Sequence, residues 1–179
     1  MLYTNKLAAD SPFPAISLPD LQGQQHVLGK TREGASWQLV IIYRGKHCPL
    51  CTKYLNQLEG YKSQLADIGV DIVAASGDSR EQLQEHAEKL NVSFPLTYGL
   101  TEGQMKELGL YISVPRSEQE TDHNFAEPGL FVINEKGTVQ VVDIANNPFI
   151  RPDLEALVNG LSWIRNPENN YPIRGTAPY

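Results

Sequence analysis

The stretch Tyr43-Arg44-Gly45-Lys46-His47-Cys48-Pro49-Leu50-Cys51-Thr52-Lys53 holds both cysteines of the chain, separated by two residues. Thiols at this spacing can cycle between dithiol and disulfide, or they can supply half of a metal site. The redox reading needs a thiolate, so one pKa must drop from the free-thiol value of about 8.5. Cys48 falls where an apolar strand is expected to turn into a helix. There it would face unpaired backbone N–H groups and the positive end of the helix dipole. Arg44, Lys46 and His47 add positive charge on its upstream side, and Pro49 suits a first helical turn because its missing N–H is no loss there. Cys51 shares an apolar helix face and is expected to be the less exposed thiol. Cys48 is therefore read as the attacking thiol and Cys51 as the resolving one, a two-electron dithiol couple.

The metal reading would use the Cys pair with His47 or His123 to hold zinc or copper. The chain has no second Cys pair, and His26, His47, His86 and His123 include no pair at finger spacing, so no metal is expected. His86 lies beside the apolar face of its helix and is read as a partly buried helix residue rather than a ligand. A redox sensor that signals through partners would use the same two thiols as an enzyme.

The elements that must hold this stretch can be read around it. Gln38 to Tyr43 is a short run of β-branched and aromatic residues, expected as a central strand buried on both faces. Cys51, Tyr54, Leu55, Leu58, Tyr61, Leu65 and Ile68 then recur at helical spacing, predicting one helix that ends at Gly69 with a bend at Gly60. Val70 to Ala75 is a second strand, and Ser79 with Gln82 opens a capped helix. Phe94 to Tyr98 is a third strand, and Thr101 with Gln104 caps another helix. Tyr111 to Glu127 is polar and aperiodic. Leu130–Ile133 and Thr138–Asp143 form a hairpin around a Gly-containing turn, followed by a helix expected to start at Pro152. A Pro-rich preface from Ser11 to Lys30 suggests a small hairpin. Strands alternating with helices, ending in a hairpin, imply a three-layer α/β sandwich with a mixed central sheet and an N-terminal extension.

With 179 residues, 41% apolar and 20% charged, the chain fits one globular domain over residues 1–179, with an irregular tail at 166–179. A net charge of −6 argues against nucleic acid or an anionic membrane as partner. The first residues lack the pattern of a secretory signal, and no run is apolar enough to span a bilayer. The expected compartment is the cytoplasm, where a Cys pair is more often catalytic or metal-binding than a structural staple.

Tyr43-Arg44-Gly45 followed by Cys48-Pro49-Leu50-Cys51 resembles the peroxiredoxin-like branch of the alkyl hydroperoxide reductase / thiol-specific antioxidant (AhpC/TSA) family. Asp71 to Ser79, the helix after it, Phe94-Pro95-Leu96, and Pro128 to Gly137 are similar to the same family. The resemblance runs over about residues 11–164. It implies a thioredoxin-like fold, an antioxidant oxidoreductase without a cofactor, and a hydroperoxide or protein disulfide as substrate. It also implies an electron donor of the thioredoxin or glutathione type, and it leaves a homodimer open. Cys48, Cys51 and Arg44 are the expected catalytic residues, with Tyr43, Pro49 and Pro128 at the substrate groove.

The chain departs from the family at three of these places. Where the family commonly has Pro, Thr and Arg, this chain has Arg44, Cys48 and Pro128. Aligned with peroxiredoxins, Cys51 takes the attacking position; aligned with thioredoxins, Cys48 does. Pro128 resembles the thioredoxin proline that is cis and faces the dithiol, so a cis bond is expected there.

Overall fold

The computed structural model describes residues 5–178. Two short strands, β1 (Ser17–Pro19) and β2 (Gln25–Val27), pair antiparallel in the Pro-rich preface. There follow β3 (Trp37–Ile42), α1 (Pro49–Glu59), α2 (Lys62–Asp67), β4 (Val70–Ala75), α3 (Arg80–Ala87), β5 (Leu96–Thr97) and α4 (Glu102–Glu107). The chain continues through β6 (Ile112–Ser113), β7 (Phe125–Ala126), β8 (Gly129–Ile133), β9 (Val139–Ile144) and α5 (Leu154–Arg165).

The main sheet has the order β5-β4-β3-β8-β9, with β3 at its centre. β3, β4 and β5 run parallel, while β8 is antiparallel to both β3 and β9. This is the mixed sheet expected from the alternation of elements. Every residue of β3 is buried, because the strand feeds two cores. Trp37, Leu39 and Ile41 point to the face covered by α1, α2 and α5, whereas Val40 and Ile42 point to the face covered by α4 and the β1–β2 hairpin. Each fully buried Leu or Ile on these faces contributes about 2 kcal/mol of transfer free energy.

The predicted single helix from Cys51 to Ile68 is two helices. Gly60 and Tyr61 donate their N–H groups to the carbonyls three residues back, Gln57 and Leu58, at 3.1 and 2.9 Å, which tightens the chain and ends α1. Leu58 and Leu65 still reach the same core across the break, so the apolar period carries no mark of it. Both expected capping boxes, Ser79 with Gln82 and Thr101 with Gln104, are present. The last helix starts two residues later than expected: Asp153, not Pro152, caps it by accepting from the Ala156 N–H.

The aperiodic segment 111–127 is anchored at its two ends, where β6 and β7 pair antiparallel. Beyond Arg165 the chain makes one 3-10 turn, Pro167–Asn169, and is otherwise irregular. No helix among the described residues is long and apolar enough to cross a membrane.

Candidate active site

The central strand β3 ends at Ile42, just before Tyr43, and α1 starts at Pro49, so Arg44 to Cys48 must turn a tight corner. Gly45 makes the turn with a φ of +134°, in a region that favours glycine. A Cβ there would stand 2.4 Å from Asp78 Oδ1. Asp78, wholly buried after β4, holds the corner from below by accepting from the Lys46 N–H at 2.8 Å. Burial pushes the Asp78 carboxyl pKa up.

Cys48 is the N-cap of α1, in an extended conformation, with Pro49 in the first turn. Its Sγ accepts from the Cys51 N–H at 3.3 Å. Both cysteines are free thiols. The hydrogen bond from the Cys51 side chain, then the Cys51 N–H, Arg151 and Arg44, outweigh burial and pull Cys48 down to about 6. Burial, and then the bond it donates to Cys48, push Cys51 up. The two shifts run in opposite directions, so a negative charge on the pair is favoured at Cys48 over Cys51. The expected exposure of Cys48 is not found: it is 2% exposed and Cys51 0%.

The cover over this corner includes Phe125 of β7, in the segment whose sequence shows no period. Its ring lies 4.5 Å from the His47 ring and 4.6 Å from the Arg44 guanidinium. Arg44 is also held by Glu127 at 3.3 Å and Glu120 at 3.7 Å, and Glu127 accepts from the Ser113 hydroxyl at 2.6 Å.

His47 does not supply the positive charge expected of it. Burial, and next the Arg44 charge, lower its pKa to about 4, so the ring is neutral at pH 7. Lys46 is paired with Glu85 on α3. The cations that act on the thiols are Arg44 and a residue the sequence did not bring forward, Arg151. Its Nη2 donates to Cys51 Sγ at 2.7 Å. The only signal was a cation beside Pro152 at a helix entrance, and nothing in the spacing linked it to Cys51.

Of the expected groove residues, only Pro49 is exposed. Tyr43 is 1% exposed and packs its ring 5.8 Å from that of His86, so it supports the corner from within the core and offers no surface to a substrate. The reason is strand alternation, which sends Tyr43 inward with Ile41. Pro128 is buried and, like every peptide bond among the described residues, its bond is trans. It lines a small cavity together with Tyr54 and Arg151. His86 is a buried helix residue, as expected, with Nε2 2.7 Å from the Thr52 hydroxyl. Among the described residues no three His, Cys, Asp or Glu side chains are grouped to hold a metal ion.

Comparison with known proteins finds relatives in sequence and in fold. The peroxiredoxin Bcp of Escherichia coli K12 is 34% identical over 92 residues, which cover 51% of this chain and 58% of that protein. The match thus spans little more than half the length of the curated relative. A peroxiredoxin-like protein from Aquifex aeolicus superposes with a TM-score of 0.72 at 16% identity, over 88% of both chains. Peroxidoxin BcpB from Mycobacterium tuberculosis does so with a TM-score of 0.68 at 16% identity, over 87% of this chain and 94% of that one. Their likeness carries the fold, which is thioredoxin-like as the resemblance implied. The model of the AhpC/TSA family matches residues 9–142, most of the sheet and the whole cysteine corner, and the chain belongs to the AhpC/TSA family.

Proposed function

We propose that this protein is a thiol-dependent peroxidase in which Cys48 and Cys51 form the working dithiol. The observation that carries the reading is the environment of Cys48: a helix N-cap whose sulfur accepts from the Cys51 N–H, with its pKa drawn down to about 6. A thiol so placed is ionised at neutral pH and is the better nucleophile. The Cys48 thiolate attacks the terminal oxygen of a hydroperoxide; the S–O bond forms, the O–O bond breaks, and the alcohol or water leaves with a proton. Cys51 then attacks the Cys48 sulfenic acid, closing the S–S bond and releasing water. A dithiol of the thioredoxin or glutathione type returns the two electrons.

Arg44 supports the first step. Its guanidinium helps to lower the Cys48 pKa, and its two carboxylate partners and the Phe125 ring fix its position. Pro49 contributes the exposed first turn beside the nucleophile, and Pro128 acts from behind, through the cavity it shares with Arg151. A reducing compartment such as the cytoplasm would keep the pair in its active form.

Stopped-flow oxidation of the reduced protein by hydrogen peroxide and by an alkyl hydroperoxide tests this reading. Oxidation far faster than that of free cysteine at the same pH is expected. A rate equal to that of free cysteine would remove the peroxidase reading and leave a protein disulfide as the oxidant for the same thiols.

A further inference from the structure

Cys51 has an obligation that its surroundings oppose. To close the disulfide it must lose its proton, yet it is 0% exposed and burial favours its neutral form. Besides the Cys48 sulfur, a cation touches it: Arg151 Nη2 donates to Cys51 Sγ at 2.7 Å. That guanidinium is fixed on its other sides. It donates to the Pro148 carbonyl and lies 5.1 Å from the Tyr54 ring centre, and the Tyr54 hydroxyl donates to the carbonyl of the next residue, Pro152, at 2.9 Å.

The two arginines differ in what neutralises them. Arg44 has Glu127 and Glu120 as partners. Arg151 forms no ion pair with a carboxylate among the described residues, so its charge is directed at the sulfur. A charge-assisted hydrogen bond is about twice as strong as a neutral one, and it is strengthened further in a buried setting.

We propose that Arg151 is a catalytic residue of the second step: it stabilises the Cys51 thiolate that closes the disulfide, and the attack by Cys48 depends on it far less. While Cys48 is a thiolate, its charge opposes ionisation of Cys51. Once Cys48 has become a sulfenic acid or a mixed disulfide, that opposition is gone and Arg151 remains. The Cys51 proton departs, the thiolate attacks the Cys48 sulfur, and the group on Cys48 leaves with its electron pair. This division rests on the assignment of Cys48 as nucleophile.

The test uses the reduced full chain and an aromatic chromogenic disulfide, dithionitrobenzoate, so that it does not depend on peroxidase activity. Attack by Cys48 forms a mixed disulfide and releases one coloured aryl thiolate. Attack by Cys51 then closes the internal disulfide and releases the second. Under excess protein the two releases are separate phases.

In Arg151→Met the second phase is expected to slow about 10- to 100-fold, the equivalent of one lost hydrogen bond to a charged group, and the first phase by much less, because Arg151 acts on Cys48 through its charge and touches only Cys51. The pH midpoint of the second phase should move up, because the thiolate has lost its cation, and Arg151→Lys should recover part of the rate. If Arg151→Met does not fold, Arg151→Gln carries the same expectation. An unchanged second phase would overturn the proposal, and so would equal slowing of both phases. A parental protein that shows both phases but is inert to hydroperoxides would remove the peroxidase reading and leave this one standing.

Discussion

The two sulfurs are one helical turn apart, yet their surroundings have little in common. Cys48 sits at a helix N-terminus and takes a hydrogen bond from the backbone. Its arginine is wedged between two carboxylates and the Phe125 ring. Cys51 lies one turn inside the helix in apolar core and is reached by an arginine from a loop 100 residues away in sequence. The first environment favours the thiolate and the second the neutral thiol. A dithiol couple uses this asymmetry, because two thiolates so close together would repel each other, and the low-pKa sulfur is the better leaving group when the disulfide is opened.

The comparison can be broken first at Phe125. Phe125→Ala removes a buried ring that both Arg44 and His47 pack on, and should cost about 3 kcal/mol or more. It should also speed alkylation of Cys48; denaturant unfolding and an iodoacetamide rate check the two effects. Gly45→Ala places a Cβ against Asp78 at a φ of +134°, and should cost about 2 kcal/mol. The loss should be accompanied by a displaced thiol titration, since the corner that aims Cys48 has to shift.

Glu127→Gln sharpens the comparison on the Arg44 side. The neutral side chain can still accept from Ser113, and Glu120 stays 3.7 Å from Arg44. The stability cost should therefore be about 1 kcal/mol, below that of breaking a fully buried pair. With less negative charge opposing Arg44, the Cys48 thiolate is favoured more, so its midpoint should fall further in an ultraviolet thiolate titration. Tyr54→Phe is the smallest change. It removes the hydroxyl that holds Pro152 and should cost at most about 1 kcal/mol in unfolding experiments, with the Cys48 midpoint unmoved.

The Cys48 corner was legible because its signals are local. A β-branched run gave β3, Pro49 marked the first turn of α1, and the Cys51-Leu55-Leu58 stripe gave the buried face. Ser79 with Gln82 and Thr101 with Gln104 announced their helices for the same reason. The other half of the site is built from contacts with no local trace. Phe125 is ordered by pairing with Ser113 across a loop, and Arg151 meets Cys51 because the loop after β9 packs on α1, where Tyr54 donates to the Pro152 carbonyl. The expected exposure of Cys48 fails because the residue packs into the core shared by β3 and α1, a burial that its sequence neighbours do not display. His47 was misjudged because its charge is decided by burial, which sequence neighbours do not display.

The most direct test of the account is the order in which the two thiols react. Reduced protein is treated with substoichiometric iodoacetamide across pH 5 to 9, and the peptide carrying both cysteines is sequenced by mass spectrometry. Cys48 should be labelled first, at a rate that rises with pH through a midpoint near 6 and is level above it, while Cys51 stays unlabelled over that range. Labelling of Cys51 ahead of Cys48, or a Cys48 midpoint near the free-thiol value of about 8.5, would contradict the assignment of the nucleophile.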